Sequence, residues 1–173
     1  MSLIIALAIS IGVVSGAWMI IAHLLGLSGV TLLTVAAWPA FIGMPLYFAS
    51  GGGRKGLAKT MAANAAGVIV SVLMVLMANA LSFLGSPLDI AIAVGVGSFF
   101  IVSYSKWPPL SYIPGGFAGC ASAFGFGVGT NTSLLIAVII ALFSGAILGY
   151  IADVWGNNMA KNSNKLETDA RTD

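Results

Sequence analysis

Apolar residues run through this chain in long unbroken blocks, with no alternation and no polar stripe along any of them. The first block, "LIIALAISIGVVSGAWMIIAHLL", sets the pattern, and short clusters of Gly, Ser, Pro and basic residues separate the blocks that follow. A helix needs about 20 apolar residues to cross a bilayer. Read that way, the chain predicts six transmembrane helices, at about 3–25, 30–50, 60–84, 87–105, 112–129 and 133–153. Residues 1–155 then form one all-α membrane domain, and 156–173 form a polar cytoplasmic tail that reads as disordered. An outer-membrane barrel would need strands that alternate apolar and polar residues, and these blocks are apolar on every side.

Composition supports the pattern. Of 173 residues, 59% are hydrophobic and 7% charged, with a mean hydropathy of +1.04. A soluble domain carries about 25% charged residues, so this chain has too few to cover a soluble surface. The first block lacks a basic leader and is longer than the apolar core of a secretory signal. Cys120 is the single cysteine, which excludes an intrachain disulfide, and nothing near it in sequence resembles a metal site. No cofactor is implied. A net charge of +2 does not point to nucleic acid.

The basic residues orient the spans. Arg54, Lys55 and Lys59 follow the second span, Lys106 follows the fourth, and Lys161, Lys165 and Arg171 lie in the tail. Six spans with both termini in the cytoplasm of a bacterial inner membrane place all of them inside.

One phrase is written twice. "WPAFIGMPLYFA" starts at Trp38 and "WPPLSYIPGGFA" at Trp107, so Trp, Pro, Pro, Phe and Ala recur 69 residues apart. Three spans per half make the halves antiparallel, a 3+3 inverted repeat of the kind that builds many transporters and channels. Proline removes a backbone donor and disfavours helix before it. Pro39 and Pro45, and then Pro108 and Pro114, are therefore expected to interrupt the second and fifth spans. Groups freed at such breaks must be satisfied inside protein or by water. The candidate solute pathway comprises Trp38, Phe41, Phe48, Asn64, Trp107, Phe117 and Ser122, with Phe48 and Phe117 as paired constrictions. The two Trp also fit an interfacial belt. Small residues four apart, Gly12/Gly16, Gly115/Gly119, Gly125/Gly129 and Gly145/Gly149, suit close helix packing or a homo-oligomer interface.

The spans are short of ionisable groups. Asp89, Asp153 and His23 stand near span ends, and the mid-span polar residues are neutral: Thr34, Asn64, Ser71, Ser98, Ser103 and Ser122. Intramembrane charge marks proton relays and ion pathways. Its absence favours a channel or facilitator for a small neutral solute, of the urea or short-amide class. Two alternatives stay open: a secondary transporter of a small organic anion, and a membrane subunit that transports nothing. No HExxH, GxSxG or Walker pattern occurs, so an enzyme is not expected.

"AISIGVVSGAWMIIAHLLGL", "YFASGGGRKGLAKT" and "YIPGGFAGCASAFG" resemble a family of bacterial inner-membrane proteins catalogued as domain of unknown function one-zero-nine-seven, over about residues 5–155. That resemblance implies a multi-pass inner-membrane protein and no particular function. A looser architectural likeness is to urea channels, which are inverted repeats with Phe-lined constrictions.

Overall fold

Glycine and proline punctuate the chain, and the helices end where they cluster. The structure is a computed structural model that describes residues 1–27 and 37–172, with backbone alone for 25–27 and 167–172. It contains six α-helices and no strand among those residues. They are α1 (Leu3–Leu27), α2 (Ala37–Ala49), α3 (Gly53–Ala80), α4 (Leu88–Tyr104), α5 (Ile113–Gly125) and α6 (Thr132–Thr172). Short 3₁₀ turns at Ser82–Leu84 and Pro108–Leu110 flank α4. Positions 30–36 of the expected second span, with Thr34, lie outside the described residues.

Gly51, Gly52 and Gly53 take φ of 99°, 65° and 62°, and Gly127 and Gly129 take 61° and 51°. Only glycine adopts such values cheaply, so these two turns reverse the chain sharply after α2 and α5. Both preceding helices are 13 residues long. At 1.5 Å per residue each measures about 20 Å, less than the ~30 Å hydrocarbon thickness. Helices α1, α3 and α6 are long and apolar enough to cross a membrane, and α4 is a shorter apolar helix.

Two expectations are corrected. The second span is not interrupted at 39–45: α2 is continuous, with Pro39 in its first turn and Pro45 inside it. The first turn has no backbone partner to lose, and Pro45 stands on the exposed side of α2. At the other copy of the phrase, Pro108 opens a 3₁₀ turn and Pro114 falls in the first turn of α5. The tail is not disordered: α6 continues through it to Thr172. No Pro occurs in α6 and no Gly after Gly156, so nothing in the sequence stops the helix.

The packing is crossed between the two halves. Helix α2 packs chiefly on α6, and α5 chiefly on α3; α1 lies against α6, and α4 against α3. Helices α3 and α6 meet in the centre, where Val68, Ala123, Val128, Val138 and Leu142 form one buried cluster. A second cluster holds Val70, Met74, Ile101 and Cys120.

Candidate functional site

The helices cross at glycines. A Cβ on Gly43 would strike the Leu142 carbonyl, and one on Gly145 the Ala40 carbonyl. Across the molecule, a Cβ on Gly119 would strike the Asn64 carbonyl, and one on Gly67 the Gly116 carbonyl. The two crossings are therefore the same contact made twice. Gly43 corresponds to Gly119 and Ala40 to Gly116, an offset of 76 residues, while Asn64 corresponds to Leu142 and Gly67 to Gly145, an offset of 78. Burial follows the same register: 39/115, 40/116, 43/119, 44/120 and 47/123 are buried, and Phe41 and Phe117 are 40% and 41% exposed.

This register replaces the 69-residue one suggested by Trp-Pro. The difference is seven residues, about two helical turns, so both registers put the same face inward. At this offset Phe117 corresponds to Phe41, and Phe124 to Phe48. The sequence signal for it was present as F-x-G-x4-F-x2-G-x-G, starting at Phe41 and again at Phe117.

Five polar side chains are buried among the described residues: Ser10, Thr60, Asn64, Ser71 and Ser122. Four of them donate to backbone carbonyls. Ser10 bonds Leu7 O at 3.0 Å, Thr60 bonds Leu46 O at 3.4 Å, Ser71 bonds Val68 O at 2.7 Å and Ser122 bonds Ala118 O at 2.8 Å. Asn64 differs. It is 0% exposed, and both its Oδ1 and its Nδ2 lack a hydrogen-bond partner.

A polar tie joins α2, α3 and α6. The Tyr47 hydroxyl donates to Asp153 Oδ2 at 2.6 Å and accepts from the Gly53 N–H at 2.7 Å. Asn157 Nδ2 donates to Asp153 Oδ1 at 2.7 Å and to the Asp153 carbonyl at 2.8 Å. The first backbone donor of α3, which has no partner within its helix, is thus capped by a tyrosine from the preceding helix.

Four of the expected pathway residues lie apart from this core. Trp38, Phe41, Trp107 and Phe117 are exposed on the surface of the chain, and Phe48 is half-buried with its ring 5.1 Å from that of Tyr47. Ser122 and Asn64 are buried on α5 and α3. A cleft of about 400 Å³ between α3 and α4 is lined by Val70, Met74, Met77, Gly97, Phe100 and Tyr104. A second, of about 420 Å³, reaches Asn79, Asp89 and Phe124. Among the described residues, no three His, Cys, Asp or Glu side chains gather closely enough to hold a metal ion.

Long apolar helices crossing through small residues, with a neutral polar core, define an all-helical membrane protein. The model of the family described as "Protein of unknown function (DUF1097)" matches residues 8–157. The chain belongs to that family. It is 31% identical over 169 residues to "Inner membrane protein YcdZ" of Escherichia coli (strain K12), covering 95% of this chain and 93% of that one. "Uncharacterized protein YahC" of the same strain is 27% identical over 166 residues, covering 94% and 96%. "Inner membrane protein YcdZ" of Salmonella typhimurium is 30% identical over 153 residues, covering 87% and 85%. No solved structure matches the chain.

Proposed function

We propose that the protein is an inner-membrane facilitator for a small neutral solute of the urea or short-amide class, built as a 3+3 inverted repeat. The observation that carries this is the doubled glycine crossing, in which the short second helix of each half packs on the third helix of the other. Contact order gives the directions. Residues 40, 44 and 47 of α2 meet 145, 149 and 153 of α6 in ascending order. Residues 115, 116 and 120 of α5 likewise ascend past 63, 67 and 74 of α3. Helix α1 descends against α6, since Leu7 meets Gly156 while the Met1 amino group donates to Ser163 Oγ at 2.8 Å. Such crossed, antiparallel halves are a common plan for transporters and channels, with the solute site at the repeat interface.

The same directions bring Met1, the start of α3 with Arg54, Lys55 and Lys59, and the end of α6 with Lys161 and Lys165 to one end of the bundle. By the positive-inside rule that end is cytoplasmic. The buried polar side chains among the described residues are all neutral, and the half-buried Asp153 carboxylate is already engaged by Tyr47 and Asn157, which suits an uncharged solute better than an ion. In this reading Asn64 and Ser122 remain on the path. The exposed Trp38, Phe41, Trp107 and Phe117 meet lipid or a second copy, and the open Gly12 and Gly16 on α1 leave room for close association.

Purified protein in liposomes should speed swelling in urea and acetamide above that of empty vesicles while excluding salt. Rates equal to empty vesicles for both solutes would sink the proposal. In a Cys120→Ser background, K55C should react with an impermeant maleimide from the cytoplasmic side alone.

A further inference from the structure

We infer that Asn64 is the residue that holds the solute, through a paired donor–acceptor contact to a primary amide or urea. The inference rests on the transport reading above but stands on a separate observation. Of the five buried polar side chains among the described residues, Ser10, Thr60, Ser71 and Ser122 each bond a backbone carbonyl, while outside that group the hydroxyls of the part-buried Tyr104 and Tyr112 are also without a partner. Asn64 alone of that group is fully enclosed with both ends of its amide unused.

The fold itself does not call for an amide there. Leu142 occupies the corresponding place in the other half, 0% exposed, packed with Val68, Ala123, Val128 and Val138. Both positions carry the same backbone approach, Gly43 against the Leu142 carbonyl and Gly119 against that of Asn64. An apolar side chain therefore serves this crossing well. Burying an amide with neither end bonded is costly, because it loses water and gains nothing. The group that satisfies it has a defined chemistry. Asn64 presents a carbonyl acceptor and an NH₂ donor from one planar amide. A ligand that presents a donor beside an acceptor in one plane satisfies both, as a primary amide or urea does and a simple alcohol does not. Small residues surround the position: Gly119 lies on its backbone, Gly67 follows one turn along α3, and Ser122 follows one turn along α5. One turn along α3 from Asn64, Val68 belongs to the apolar cluster with Leu142.

The test compares full-length wild type with N64L, and with N64A should N64L not accumulate. Two readouts are taken: thermal unfolding in detergent with acetamide or with acetone, and amide permeability in liposomes. Acetone has the shape of acetamide and the carbonyl but no N–H. Acetamide should raise the wild-type melting temperature above that in equal acetone, and this difference should vanish in the variant. Amide permeability should fall about ten-fold, the scale expected when a buried hydrogen-bonding partner is removed. Equal acetamide effects in wild type and variant would overturn the inference. So would unchanged permeability in the variant; the transport reading then survives, since the wild type conducts. Asn64-dependent stabilisation without wild-type flux would keep the site and reject transport. A bound water alone would give no acetamide difference and would also overturn it.

Discussion

The two halves of this molecule make the same crossing and finish it with different chemistry. Where α2 leaves α6, Tyr47 is tied to Asp153 and to the first N–H of α3. Where α5 leaves α3, the corresponding residue is Ala123, buried among Val68, Val128, Val138 and Leu142. The central positions are also unlike, with an amide at 64 facing the role that Leu142 plays opposite. The backbone geometry of the two crossings is alike because glycine–carbonyl contacts tolerate no side chain. The side chains beyond the crossings differ: one end is polar and fastened, the other apolar.

The comparison breaks most readily at the glycines. Gly67→Val and Gly145→Val should each destabilise the protein by about 3 kcal/mol or more, since the new Cβ meets backbone rather than a flexible side chain. Thermal unfolding should show the two variants equally damaged; damage confined to one would deny that the crossings correspond. Tyr47→Phe should cost about 2 kcal/mol, from an unpaired Gly53 N–H and a lost bond to Asp153. The apolar half has no such tie, so Ala123→Gly should cost only about 1 kcal/mol. Asn64→Leu should leave stability unchanged or raise it by about 1 kcal/mol when no solute is present. Gly12→Val, on a helix face with nothing within 4 Å, should stay within about 0.5 kcal/mol in monomeric detergent solution.

Much of the fold was legible in the sequence because apolar blocks and turn residues fix where helices lie. The apolar block expected as a span at 87–105 forms the helix Leu88–Tyr104. The third starts at Gly53 rather than 60, since a basic first turn is helical although it is not apolar. The likeness of the two crossings was hinted at, but in a register two turns off, because Trp and Pro are rarer than Gly and so more conspicuous. Phenylalanines seven residues apart, Phe41/Phe48 and Phe117/Phe124, let the wrong pairing look right. The tie at Tyr47 was not legible: Asp153 is 106 positions away, and in sequence it was only an ionisable residue near a span end. Asn64 stood among the mid-span polar residues and the pathway candidates, yet its lack of a partner is a fact of packing alone.

Helix α6 has 41 residues, about 60 Å at 1.5 Å per residue, or roughly twice the hydrocarbon thickness. It is therefore a single stiff rod, long enough to cross the hydrocarbon and reach as far again beyond it, with the chain's first residue fastened near its far end through Ser163. A rod of this kind is a lever. A tilt imposed on the polar half is carried without a hinge to Asp153, Gly149 and Gly145, and so to the seam on which α2 rests.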